Sequence, residues 1–151
     1  MRGFEIVSDN HRQHKEIDIK LPQRGDSKSA GYDFYIPSTT ILEPGEKKLV
    51  FTDIKAYMQD DEVLMLHIRS SVGIKQGVVL SNITGVIDSS YYNNISNEGN
   101  IGLSLWNTSN NVVIFKEGDR IAQGVFTKYL VADNDNTIHT ERTGGIGSSN
   151  R

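Results

Sequence analysis

The sequence predicts an all-β domain of the sandwich, jelly-roll or barrel type, and three observations predict it. Period-two alternation of apolar and polar residues recurs along the 151 residues, whereas stretches matching the helical i, i+3, i+4 template are scarce. The alternating runs are short. Gly, Asn, Asp or Pro separates them, as in Glu43-Pro44-Gly45-Glu46 and Lys116-Glu117-Gly118-Asp119. Many short strands with such turns pack into two sheets or a barrel, and a chain of this length forms one core by default.

Taken in order, Ile17-Asp18-Ile19-Lys20-Leu21 alternates before Pro22 and reads as a strand. Ala30-Gly31-Tyr32-Asp33-Phe34-Tyr35 sets one carboxylate inside an aromatic strand, where an unpaired Asp is costly, so Asp33 needs a cation or donors. Lys47 to Phe51 follows. From Val63 to Ser70, Leu64, Leu66 and Ile68 share one face and Met65, His67 and Arg69 the other, which places Arg69 opposite the core. Ser71 to Gly77 is the one stretch expected to form a helical turn. Val78 to Leu80, Val86-Ile87, Leu103 to Trp106, Val112 to Phe115 and Ile121 to Tyr129 supply further strands. More than half of residues 89–111 are Ser or Asn, and Asn93 to Asn100 lacks a strand pattern, so it is expected as a surface excursion within a hairpin. Arg142-Thr143-Gly144-Gly145-Ile146-Gly147-Ser148-Ser149 is too rich in Gly to fold unaided and reads as a frayed tail or a flap that orders on a ligand. No repeat or interdomain linker is visible.

Composition removes several function classes. Sixteen Lys and Arg against nineteen Asp and Glu leave a formal charge of −3, which argues against stable nucleic-acid binding. With no cysteine there is no disulfide scaffold, thiolate nucleophile or Cys-ligated zinc. Glu5, Asp9, His11 and Arg12 interrupt any secretory leader, and the uncharged stretch from Gly99 to Phe115 is too rich in Asn and Ser to span a membrane. His11, His14, His67 and His139 have no metal-ligand spacing. A Gly-x-Ser-x-Gly elbow and a Walker-type loop are both absent.

What remains are short mixed clusters. In Arg69-Ser70-Ser71-Val72-Gly73 a strand ends in two hydroxyls before a turn; this suits an anion, although alone it reads as plain capping by Ser70 or Ser71. Asn82-Ile83-Thr84-Gly85-Val86-Ile87-Asp88-Ser89-Ser90-Tyr91 reads as a hairpin able to present backbone amides to a flat polar ring, Asp88 to a water and Tyr91 as a platform. Alone, it also fits a strand ending in an Asp turn. Gly118-Asp119-Arg120-Ile121-Ala122-Gln123 fits a turn with an ion pair before a core strand. Arg142 with the following glycines fits either a phosphate clamp or a loose terminus.

In this order, the five clusters resemble the five motifs of the trimeric deoxyuridine triphosphatase (dUTPase) family: Ala30 to Asp33, Arg69 to Ser71, Gly85 to Tyr91 with Asn82 upstream, Gly118 to Gln123, and Arg142 to Ser148. The resemblance implies a distorted jelly roll, with residues 1–141 as β core and 142–151 as a flexible C-terminal arm. It implies hydrolysis of dUTP to dUMP and pyrophosphate, with Asp88 as general base activating a water for attack on the α-phosphorus. Asn82 and the backbone around Val86, Ile87 and Asp88 are expected to read uracil, and Tyr91 to exclude a ribose 2′-hydroxyl. Arg69, Ser70, Ser71 and Gln123 are expected on the phosphates, with Arg142, Gly147 and Ser148 closing over the γ-phosphate and Ile146 covering the base. Mg²⁺ follows from the substrate, with Asp33 contributing through water. The resemblance further implies a homotrimer with shared sites and a cytoplasmic enzyme of bacterial or phage origin that limits uracil in DNA and supplies dUMP for thymidylate synthesis.

Three positions depart from the family pattern. Ile146 stands where Phe is usual, Ser71 where many members have Gly, and Tyr92-Asn93 where Arg-Gly is common. The insert that follows resembles those of a bacterial and phage subset, and residues 93–100 are a candidate surface for a protein partner. Two alternatives share the fold: a regulatory protein-binding module, and a relative of dCTP deaminases. The second expects a catalytic Glu in a Leu-Glu-Leu-x-Asn pattern, where this chain has Ser104 in Leu103-Ser104-Leu105-Trp106-Asn107.

Overall fold

The computed structural model describes residues 1–138, 142 and 144–146. Its twelve strands are β1 (Gly3–Ile6), β2 (Gln23–Arg24), β3 (Tyr32–Tyr35), β4 (Thr40–Leu42), β5 (Lys47–Phe51), β6 (Ile54–Tyr57), β7 (Glu62–Ile68), β8 (Val78–Leu80), β9 (Gly85–Asp88), β10 (Gly102–Asn107), β11 (Val113–Phe115) and β12 (Arg120–Lys128). They form a five-stranded sheet, β2-β3-β12-β7-β9, a three-stranded sheet, β5-β10-β8, and two ribbons, β1-β6 and β4-β11. The result is all-β and jelly-roll-like, as the alternation predicts.

Alternation decides what is buried. Phe34, Leu64, Leu66 and Ala122 from the larger sheet join Val50, Val78, Leu80, Leu103 and Leu105 from the smaller one in a single apolar cluster. Their burial is the main favourable term in folding, at roughly 25 cal/mol per Å² of apolar surface. The centre of the larger sheet is the β7–β12 ladder, which runs from Ala122 opposite Ile68 to Lys128 opposite Glu62. Gly124 sits at its crowded middle, where a Cβ would lie 2.9 Å from Leu64 Cδ1 and 3.1 Å from Phe34 Cε2. At the start of β12 the register with β3 passes from Arg120–Tyr35 to Ala122–Phe34, a bulge at Ile121. Ile121 and Ala122 are both fully buried as a result. The bulge also shifts the side-chain phase, so Arg120 and Gln123, three residues apart, both face the outward side carrying Asp33.

Several expectations are corrected. Ile17 to Leu21 forms no strand, although Ile19 is buried. Side chains bind the backbone just upstream instead, and reach this stretch at the Ile17 carbonyl. Asp53 accepts the Gln13 and His14 amides, both at 2.8 Å, and Arg12 donates to the His14 and Ile17 carbonyls at 2.8 and 2.6 Å. β1, β2, β4 and β6 have no counterpart among the expected strands. In β6 the buried Lys55 between Ile54 and Ala56 hides the alternation. The expected helical turn is present as a π-type turn at Val72–Gln76, and an unforeseen 3₁₀ turn occupies Ser89–Tyr91.

Residues 93–100 are not a hairpin excursion. β9 pairs with β7, whereas β10 lies between β5 and β8, so this segment carries the chain from one sheet to the other. Asn94 and Asn100 are buried within it. Asn100 exchanges two 2.9 Å hydrogen bonds with Asp53, accepting its amide and donating to its carboxylate. Glu98 accepts from Lys55 Nζ at 2.6 Å and from the Ser8 amide at 3.1 Å.

Burial of the Glu98 carboxyl opposes its charge, but hydrogen bonds from Lys55 and Ser8 outweigh that cost and lower it from 4.5 to about 2. A carboxyl depressed on folding contributes stability that is complete above its unfolded value and is lost as pH falls through the folded one. The urea midpoint should therefore fall between pH 4.5 and about 2, and Glu98→Gln should flatten that limb. An unchanged acid profile in the variant would refute the assignment.

Candidate active site

The site residues named from sequence fall into two groups. The first lies on the outward face of the larger sheet. Asp33 on β3 is nearly buried, and Arg69 Nε and Arg120 Nη1 each approach one of its oxygens at 3.2 Å. Its need for a cation is thus met twice. Arg69 also donates to the Arg120 carbonyl at 3.2 Å, joining the end of β7 to the start of β12. Gln123 stands opposite Asp33 in the ladder and lies over Gly31, where a Cβ would be 2.3 Å from its Oε1, so the glycine makes room for this amide. Ser70 and Ser71 are exposed at the entry to the Val72–Gln76 turn, and the Ser71 side chain makes no capping hydrogen bond. A concavity of about 270 Å³ opens here, lined by Arg69, Ser71 and Arg120 among others. Asp119 also lines it, and the arginine donors that Asp33 leaves unengaged, with the Ser71 hydroxyl, suit an anion.

The second group surrounds a cavity of about 450 Å³. Asn82, Val86, Ile87, Tyr91, Arg142 and Ile146 all line it. β8 and β9 do not pair with each other, so the expected hairpin is instead a corner between the two sheets. The Ile83 amide bonds the Leu80 carbonyl and the Thr84 amide that of Asn82. Ile83 adopts φ +67°, a conformation β-branched residues avoid, so the corner carries strain where Asn82 enters the cavity. Asp88 ends β9 at the sheet edge, its side chain about half exposed, and Arg142 Nη1 meets its Oδ2 at 2.8 Å. The same guanidinium stacks on Tyr91, 5.2 Å from the ring centroid. Tyr91 is buried, which holds its phenol above the usual 10 against the opposing pull of Asn97 and Arg142, and it stays a neutral hydroxyl. Gly147 and Ser148 lie outside the described residues.

Among the described residues, none lines both concavities. β7 explains why. Arg69 follows its C-terminal end, whereas Asp88 is paired with Val63 near its start. Six residues of extended strand separate the two positions, roughly 20 Å, far beyond hydrogen-bond reach.

Sequence reasoning missed several residues. Leu49, Ser81 and Ser104 also line the larger cavity. The Ser81 and Ser104 hydroxyls bond each other, and the Ser81 amide bonds the Ser104 carbonyl at 2.8 Å. Alternation along β10, with Leu103 and Leu105 inward, marks Ser104 as outward, but nothing in the sequence brings Ser81 beside it. Arg120 was visible within its cluster, while its pairing with Asp33 depends on the bulge.

Comparison with known proteins identifies the family. The family model for dUTPase matches residues 18–150. The deoxyuridine 5′-triphosphate nucleotidohydrolase of Lactococcus lactis subsp. lactis is 46% identical over 150 residues, covering 99% of this chain and 97% of that protein. Its counterpart in Actinobacillus succinogenes is 34% identical, covering 91% of this chain and 99% of its own. Among solved structures, the Streptococcus mutans dUTPase superposes with a TM-score of 0.76 at 41% identity, over 87% of this chain and 98% of that one. The dUTPase of phage phi11 of S. aureus shares the fold, with a TM-score of 0.70 at 24% identity over 93% and 98% of the two chains. Five ordered clusters, an all-β core and a match covering nearly the whole chain lead to one conclusion: this chain belongs to the dUTPase family, the nucleotidohydrolases that convert dUTP to dUMP and pyrophosphate.

Proposed function

We propose that this dUTPase works through Asp88 as general base, and that a complete site draws its two residue groups from different subunits. The observation that carries the reading is the 450 Å³ cavity at the β8–β9 corner, where Asn82, Val86, Ile87 and Tyr91 converge beside Asp88 and Arg142. Uracil enters this cavity against Asn82 and the β9 backbone, with Ile146 as an apolar cover. Tyr91 packs under the deoxyribose and leaves no room for a 2′-hydroxyl. Asp88 takes the proton of a water that attacks the α-phosphorus; the P–O bond to the β-phosphate breaks and pyrophosphate leaves. Binding requires Arg142 to turn from Asp88 to the γ-phosphate oxygens, joined by Gly147 and Ser148. The half-exposed ion pair is worth about 1 kcal/mol or less, so the exchange is cheap.

Arg69, Ser70, Ser71 and Gln123 hold the phosphate chain, and Asp33 fixes Arg69 and Arg120 in place. The roughly 20 Å along β7 between Arg69 and Asp88 supports a site shared across an interface in a homotrimer, with Arg142 and Ile146 of the arm belonging to the Asp88 group of their own chain. Mg²⁺ would be carried on the substrate phosphates, which this ion uses in preference to a dedicated protein cage. Bound Mg²⁺ neutralises charge on the phosphate oxygens. Asp33 fits a contact to it through water, because each oxygen engaged by an arginine keeps a second lone pair. In the cell the reaction limits uracil in DNA and yields dUMP for thymidylate synthesis.

Pyrophosphate release measured side by side from dUTP, dCTP, dTTP and UTP should be confined to dUTP; equal cleavage of all four would overturn the assignment of Asn82 and Tyr91. Asp88→Asn should lower kcat by about 10²- to 10⁴-fold while dUTP binding by calorimetry persists, and undiminished turnover would remove Asp88 from the mechanism. Asp88→Asn and Arg69→Ala chains, each inactive alone, should regain about a quarter of wild-type activity when refolded together, since random assembly leaves that share of sites intact. Failure to complement in mixed oligomers would mean that each site lies within one chain.

A further inference from the structure

We infer that Asn97 is a positioning residue for sugar discrimination, holding the Tyr91 ring through its hydroxyl. The inference rests on the proposed role of Tyr91 as the surface that excludes a 2′-hydroxyl. A tyrosine ring discriminates sterically only if it cannot retreat, so whatever restrains the ring sets the selectivity.

Both bonds of the Tyr91 hydroxyl come from the segment that follows it. The hydroxyl donates to the Asn100 carbonyl at 2.8 Å and accepts from Asn97 Nδ2 at 2.8 Å. The orientation of the Asn97 amide is not arbitrary. Its Oδ1 accepts from Asn94 Nδ2 at 2.8 Å and from the Gly99 amide at 3.0 Å, so Nδ2 must face Tyr91. Asn94 completes the frame by donating to the Tyr91 carbonyl at 2.8 Å and accepting from the Ser96 and Asn97 amides. Gly99 packs beneath, where a Cβ would lie 2.7 Å from the Tyr91 carbonyl oxygen.

The frame is fastened to the body of the protein and not merely to itself. Glu98 is held by Lys55 and Ser8, and Asn100 by Asp53. Above the ring, the space beside Gly145 is closed by Tyr91 Cε1, 2.8 Å from the position of a Cβ, and by Asn97 Nδ2 at 3.4 Å. Asn97 therefore touches both the platform and the arm that lies over it. Its side chain bonds Tyr91, Asn94 and the Gly99 amide, so it acts on the reaction through Tyr91.

A double-mutant cycle tests this, reading the ratio of kcat/KM for dUTP to that for UTP. Asn97→Ala should lower the ratio by about tenfold, mainly by admitting UTP, while kcat for dUTP changes little. In a Tyr91→Phe background, which lacks the hydroxyl, Asn97→Ala should have no further effect on the ratio. If the alanine variant does not fold, Asn97→Ser supplies the same readout. A folded Asn97 variant with an unchanged ratio would overturn the proposal, as would an undiminished effect in the Tyr91→Phe background. Tyr91→Ala separates the two levels. If it leaves discrimination intact, the platform reading fails; if it abolishes discrimination while the Asn97 variants do not alter it, only the positioning role fails.

Discussion

The pairing of β7 with β12 is the constraint on which the rest of this structure depends. Side chains on a strand alternate with a period of two, so a register slip of one residue would turn Leu64 and Leu66 out to solvent and Gln123 into the core. The fully buried leucines oppose that slip. Once the register is set, β3 on one side and β9 on the other inherit their places, and Asp33, Gln123 and Asp88 follow. The bulge at Ile121 adds what alternation cannot supply, two outward residues at odd spacing, so that Arg120 reaches Asp33.

Polar groups organise the irregular parts as firmly as leucines organise the sheets. Asp53 is fully buried with φ +60°, and it gathers Gln13, His14 and Asn100 into one node. A buried carboxylate without donors would be strongly unfavourable; with them it holds three segments distant in sequence. The asparagines after Tyr91 do the same on a smaller scale. A stretch rich in Asn and poor in apolar residues suggests a solvated loop by composition, but amide side chains bond in two directions and can build a closed network without a core.

These two kinds of order meet at Tyr91. The sheet edge delivers Asp88 and β9, the amide network delivers the ring, and Arg142 bridges them by pairing with the carboxylate and stacking on the aromatic face. The group around Asp33, Arg69 and Arg120 depends on the sheet, through the ends of β7 and β12. The separation of the two groups along β7 is thus a consequence of strand length.

Local pattern alone sets the all-β class, the inward and outward faces of β7, the strands at Lys47 to Phe51 and Val78 to Leu80, and the five clusters that carry the candidate site residues. All of these are local: a period of two, a turn signal or a short motif lies within a few residues and needs no partner to be recognised. Tertiary structure decided the rest. It replaced a strand at Ile17 with an irregular segment tied by Arg12 at the Ile17 carbonyl, turned the expected β8–β9 hairpin into a corner between sheets, and made a supporting frame of Asn94 to Asn100. It also paired Asp33 with Arg120, 87 positions away, and left Arg69 and Asp88 at opposite ends of one strand. In each case the deciding term is the hydrogen bond or charge that a buried polar group must find, and which distant residue answers it is set by the packing of the whole chain.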